Sequence, residues 1–196
     1  MIVSDKHKFV FVSTMRCGTH TMFNALQGPP YHGYHERRLD SYHGRIIPDK
    51  AKDWFTFAVS RNPYSRLVSI WRVITQGERY RHYTPLGQCP FAKFVCWAAA
   101  EPNIDRWAGM LIPQHRWLKG IRLDTVLRLE NLDREVKRLP FWQGPDHIEP
   151  ASNRTCDGQP PWYIYYSDPD IIAAAQEWAG DDFQTYGYSK TIDTER

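Results

Sequence analysis

Cysteine is scarce in this sequence: Cys17, Cys89, Cys96 and Cys156 are scattered over 196 residues, with no C-x-x-C pair. A disulfide framework needs denser cysteines in a shorter chain, so a reducing, cytoplasmic setting is expected. No apolar run reaches the roughly 18 residues of a membrane span. The opening stretch, MIVSDKHKFVFVS, carries Asp5 and lacks the long apolar segment and small-residue cleavage site of a signal peptide. Without that signal, Asn153-Arg154-Thr155 reads as a chance match to a glycosylation acceptor. Charge is nearly balanced, with 25 basic and 22 acidic side chains and a net +3. That is too mild for a nucleic-acid binder and suits a local anion site. There is no internal repeat and no low-complexity tract.

What is present is ordinary for a globular chain. Hydrophobic residues make up 42 % and charged residues 24 %, which excludes disordered, collagen-like and coiled-coil classes. The length suits one domain spanning residues 1–196, with a core that needs no staples. Aromatics are plentiful, with 8 Trp, 11 Tyr and 9 Phe, enough to fill a core or line a pocket.

Two strand–turn–helix units stand out. Phe9-Val10-Phe11-Val12 is apolar on both faces, as in a buried parallel strand. The string Ser13 to Thr21 follows, then a helical pattern at Met22, Phe23, Ala25 and Leu26 that Gly28-Pro29-Pro30 stops. The second unit has a strand at Trp54–Val59, a turn at Arg61-Asn62-Pro63, and helical spacing at Leu67, Val68, Ile70, Trp71 and Ile74. Pro63 suits a first helical position. Residues 31–35 read as a short strand or extended loop, 91–100 as a helix, 125–129 as a strand and 131–139 as a helix. Residues 140–162 read as a long proline-rich loop, and Ser167 as the cap of a last helix. Alternating strands and helices predict an α/β fold with a mainly parallel sheet.

The first turn has the makings of an anion cradle. Gly18 permits close backbone approach, Thr19 and Thr21 carry hydroxyls, and Arg16 carries a planar charged fork. Cys17 and His20 contribute backbone amides. A Walker A string is absent, so a metal-bound nucleoside triphosphate suits the turn poorly. At the second turn, Arg61 and Ser69, eight residues on, make a second anion clamp. Arg66 reads either as part of that clamp or as a surface ion pair. Both turns fall at the carboxyl edge of the sheet, where α/β proteins bind ligands.

Together these motifs resemble the sulfotransferases that use 3′-phosphoadenosine 5′-phosphosulfate (PAPS). Arg16-Cys17-Gly18-Thr19-His20-Thr21 is similar to the family's 5′-phosphosulfate string, and Arg61 to Ser69 to its 3′-phosphate string. The tail Tyr165 to Asp168, with Asp182-Phe183 through Gly187-Tyr188, is similar to the family's last helix and its ending. The resemblance implies a P-loop-like three-layer α/β/α architecture, PAPS as donor and adenosine 3′,5′-bisphosphate (PAP) as product. It implies no metal. Two departures matter: Arg16 replaces the usual lysine, and His20 a usual hydroxyl residue. Arginine does not readily give up a proton, so Arg16 is assigned charge stabilisation.

A base must take the acceptor's proton, and histidine has a suitable ordinary pKa. The resemblance places it after the first helix, which favours His35, with Glu36 as the rival and His32 and His43 behind. His32 and His35 also have metal-pair spacing, but no ligand-rich partner stretch accompanies them. The resemblance further suggests that Arg154 closes over the nucleotide. Gln114, His115 and Trp117 suit either an acceptor pocket or a helix–core junction. The acceptor is expected to present a hydroxyl, or second an amine, on a small molecule, carbohydrate or lipid. The rival readings are a nucleotide-dependent kinase and an inactive nucleotide-binding module. The oligomeric state is not legible.

Overall fold

The computed structural model describes residues 1–35, 44–76, 85–150 and 158–192. The chain forms two compact units, Met1–Arg61 with Leu118–Asn153, and Asn62–Trp117 with Arg154–Arg196.

The first unit holds the sheet. β1 (Ile2–Ser4) and β2 (Phe9–Val12) form a hairpin in which Ile2 faces Phe11 and Ser4 faces Phe9. The sequence pattern marks β2 but not β1, because three residues are too few to establish an alternation. β3 (Tyr34–His35), β4 (Phe55–Ser60) and β5 (Thr125–Arg128) complete the order β3-β1-β2-β4-β5. β1 is antiparallel to both neighbours, and the β2–β4 and β4–β5 pairs are parallel. Four of the five strands therefore share one direction, which is the mainly parallel sheet expected.

Every residue of β2 is 0 % exposed, so both faces of the sheet are covered there, as the three-layer arrangement requires. Phe9 and Phe11 share one core with Phe57 and Val59 of β4 and with Met22, Phe23 and Leu26 of α1 (Thr19–Leu26). Leu132, Val136, Leu139 and Phe141 join the same core, with the Phe9 and Phe141 rings stacked at 4.2 Å. The single helix expected over 131–139 is broken. It consists of a 3-10 turn, then α5 (Leu132–Glu135), then a second 3-10 turn at Val136–Arg138. Its apolar face survives, since Val136 follows Leu132 by four positions across the α turn and Leu139 follows Val136 by three across the 3-10 turn, where such residues eclipse.

The second unit is helical. α2 (Pro63–Gln76) starts at a proline, and the Asn62 side-chain oxygen accepts the Tyr64 amide at 2.9 Å, so Asn62 is its cap. α3 (Phe91–Ala100) packs on α6 (Pro169–Ala179), and α2 packs on both. The short α4 (Gln114–Trp117) meets α7 (Asp182–Tyr186). Ser167 is not the cap of α6. Asp168 is, its carboxylate accepting the Asp170 amide at 2.8 Å with Pro169 next in the chain. A carboxylate meets the positive helix end better than a hydroxyl does. Arg66 is not a surface ion pair: it is fully buried and donates to the carbonyls of Met110 at 2.9 Å and Ile112 at 3.0 Å. Its guanidinium also lies 5.5 Å from the Trp178 ring centre.

Candidate active site

β2 and β4 are parallel neighbours with Val12 opposite Ala58, so the turns after them leave the same carboxyl edge of the sheet. After β2 the chain folds tightly. The Thr14 carbonyl accepts the Cys17 amide at 3.2 Å and the Thr19 hydroxyl at 3.0 Å. Arg16 (φ 64°) and Gly18 (φ 73°) are left-handed, and Cys17 between them is not. Alternation of left-handed and ordinary backbone is the pattern of anion-binding nests. Glycine adopts the left-handed form readily, whereas Arg16 bears a cost of about 1–2 kcal/mol. Strain of that kind collects at functional turns.

Gly18 is also the point where α1 begins, and the Met22 amide donates to its carbonyl at 3.0 Å. The first turn of α1, residues 19–21, brings its amides and the positive helix end to the turn. A Cβ on Gly18 would stand 2.5 Å from Leu129 Cδ1, so the turn rests directly on the residue after β5. Leu129 has no sequence signal for this role, because the contact spans more than a hundred positions.

The side chains of the motif divide. Cys17 is buried in the core and faces away from solvent, leaving its backbone at the turn. Thr19 is buried, and its one hydroxyl proton is committed to Thr14. Thr21 is half-buried and His20 is exposed, its ring centre 6.3 Å from that of Phe23. Arg61, just past β4, donates from Nη1 to the Arg16 carbonyl at 3.2 Å. The structure thus joins the arginines of the two motifs.

A family model described as the sulfotransferase family matches residues 1–189. The chain belongs to the sulfotransferase family. It matches no curated protein and no solved structure.

The other expected residues of this sulfotransferase fall as follows. Ser69 lies in α2 of the second unit and is buried. The His35 backbone lies in β3, opposite Ile2. That two-residue strand is held by its neighbour Tyr34, whose hydroxyl donates to Asp5 at 2.8 Å and accepts from Lys50 Nζ at 2.6 Å. Lys50 also donates to Asp5 at 3.1 Å. The Tyr34 and Lys50 bonds hold the Asp5 carboxyl below its ordinary pKa. His32 is exposed with a left-handed φ of 51°. Glu36, His43 and Arg154 lie outside the described residues.

Gln114 and His115 bind Asp182, the acidic residue of the sulfotransferase-like ending. The buried carboxylate accepts both backbone amides, at 2.9 and 2.7 Å, the Gln114 side chain at 3.1 Å and His115 Nδ1 at 2.8 Å. These residues therefore form a junction between α4 and α7. Cys17, Cys89 and Cys96 are thiols rather than disulfides. Among the described residues, no helix is long and apolar enough to cross a membrane.

Proposed function

We propose that this sulfotransferase moves a sulfuryl group from PAPS to a hydroxyl, or second an amine, of a small-molecule, carbohydrate or lipid acceptor. In this reading residues 1–196 act as one sulfotransferase domain in a cytoplasmic setting, consistent with the sparse cysteines. The observation that carries it is the 3.2 Å bond from Arg61 to the Arg16 carbonyl. It supports two anion-binding motifs working side by side at one sheet edge.

The residues of the turn suit the 5′ end of such a nucleotide. A left-handed arginine, a glycine and a helix start are a chemically apt set for a phosphate-linked sulfate. When bound, PAPS supplies a sulfuryl group attached to a phosphate leaving group. Arg16 and the first-turn amides of α1 meet the charge that builds on the oxygen linking phosphate to sulfur as that bond breaks. Gly18, Thr19, His20 and Thr21 hold the same end through the backbone, with the Thr21 hydroxyl as a further donor, while Cys17 shares its amide between that end and the Thr14 carbonyl. Arg61 and Ser69 hold the 3′-phosphate, and Arg154 closes over the nucleotide. Five N–H donors on one planar group allow Arg61 to serve a carbonyl and an anion together.

His35 takes the proton from the acceptor as the new oxygen–sulfur bond forms, with Glu36 as the alternative base. PAP then departs carrying the negative charge released by the broken bond.

Calorimetric titration tests the reading. PAP is expected to bind more tightly than ATP with magnesium. Preference for ATP would indicate a kinase, and PAP binding without sulfate transfer to any of a broad acceptor panel would indicate an inactive module.

A further inference from the structure

Arg72 is a buried cation that the mechanism above leaves without a task. It sits in α2 with 4 % of its surface exposed. One guanidinium nitrogen donates to the Pro160 carbonyl at 2.5 Å and to the Tyr165 hydroxyl at 3.5 Å. The group also lies 5.4 Å from the centre of the Tyr165 ring. Its Nε is buried and has no hydrogen-bonding partner among the described residues. Among the described residues, the groups that hold it are a carbonyl, a phenol and an aromatic face, all neutral. Removing a guanidinium from water without a counter-charge is unfavourable, and the usual compensation is an anion.

Its place on α2 says which anion. Ser65, Ser69 and Arg72 recur at i, i+4 and i+7, so they share one side of the helix, and all three are buried. On this side the Ser65 hydroxyl already donates to the Asn62 carbonyl at 3.1 Å. Ser69 and Arg72 are three residues apart, about 4.5 Å along the axis. Helical side chains lean toward the N-terminus, the direction in which Ser69 lies from Arg72.

We propose that Arg72 is a phosphate ligand that receives the nucleotide 3′-phosphate together with Ser69. This rests on the PAPS reading and adds to it a residue that neither motif contains. Binding would supply the buried guanidinium with a dianion, which none of its contacts among the described residues provides. The Pro160 bond and the Tyr165 ring would hold the fork in place beforehand, so little side-chain freedom is lost on binding.

The test compares PAP with adenosine 5′-monophosphate, which lacks the 3′-phosphate, on the wild type, Arg72→Met and Arg72→Lys. Calorimetry is expected to show PAP weakened roughly tenfold to a hundredfold by Arg72→Met, with the monophosphate changed by less than about twofold. Thermal unfolding without ligand is expected to show Arg72→Met at least as stable as the wild type, because a buried charge with no counter-charge among the described residues is gone and the exposed Pro160 carbonyl returns to water. Unchanged PAP affinity overturns the proposal. So does equal weakening of both nucleotides, or a less stable unliganded variant that still binds PAP normally. If Arg72→Met does not fold, Arg72→Lys decides. Selective weakening of PAP by about threefold or more supports the proposal, and wild-type affinity overturns it. A wild type that fails to bind PAP refutes the PAPS reading itself, whereas a wild type that binds PAP no better than Arg72→Met refutes only the role of Arg72.

Discussion

The Arg61 guanidinium donates to the Arg16 carbonyl at 3.2 Å, although 45 positions separate the two residues. The bond ties the end of β4 to the turn after β2 and braces a backbone residue held at φ 64°. One arginine thereby supports the other's strained conformation while standing beside it. Several variants follow from this arrangement and from the packing around it.

Arg61→Ala removes both the brace and a cationic fork. PAP affinity is expected to fall roughly tenfold or more. Arg61→Lys is expected to recover only part of it, because a lysine is a point charge without the fork. Calorimetry on both variants checks this, and wild-type affinity in Arg61→Ala would refute the clamp.

Gly18→Ala forces a side chain into a left-handed position with Leu129 Cδ1 only 2.5 Å from the new carbon. Stability is expected to drop by about 1–2 kcal/mol. PAP binding should weaken with it as the turn shifts. Urea unfolding and titration of the same preparation measure the two effects.

His35→Ala should slow sulfate transfer by roughly a hundredfold or more while leaving PAP affinity within about twofold. A full-rate variant would move the assignment to Glu36, and Glu36→Gln would then be the informative change. Steady-state kinetics alongside PAP titration separate these outcomes.

Asp182→Ala strips a buried carboxylate from two amides, a side-chain amide and an imidazole. Unfolding free energy is expected to fall by about 3 kcal/mol or more, because the buried donors lose their acceptor. Denaturant titration reads this directly. A change below about 1 kcal/mol would mean that water replaces the carboxylate.

The His147–Asp133 pair predicts a pH-dependent difference. His147 Nδ1 lies 2.8 Å from Asp133, and the neighbouring Ile148 amide donates to the same carboxylate at 2.7 Å. The Ile148 amide, then His147, hold the Asp133 carboxyl below its ordinary value. Asp133 in turn raises His147 above its ordinary 6.5. A raised histidine stabilises the fold fully below its unfolded pKa and loses that contribution as pH rises through its folded value. His147→Ala is therefore expected to melt lower than the wild type near about pH 5.5 and equally near about pH 9. Because the pair is exposed, the difference is small. An equal deficit at both values would show that the ion pair does not contribute.

Much of the fold was legible because its signals are local. The apolar run at 9–12, the proline at 63 and the periodic residues from Leu67 to Ile74 each report on their own neighbourhood, and all match observed elements. The Arg16–Thr21 turn was equally plain, since a glycine before a helix is a short-range pattern. The cap of α6 falls one position beyond Ser167, where Asp168 and Pro169 together outcompete a serine. The burial of Arg66 is not local in origin. Charge on a helix suggests solvent, whereas the carbonyls of Met110 and Ile112 and the Trp178 ring hold this one inside.

By itself, the order of amino acids determined the strand–turn–helix units, the candidate anion turn and the family resemblance, because these depend on residues within about ten positions of one another. Only tertiary structure decided that β1 pairs with β2 and β3, that the Thr19 hydroxyl turns inward to Thr14, that Asp182 binds α4, and that Arg61 grips the Arg16 carbonyl. Hydrogen bonds need partners at about 3 Å, and most of these partners lie far apart in the chain, where no periodicity connects them.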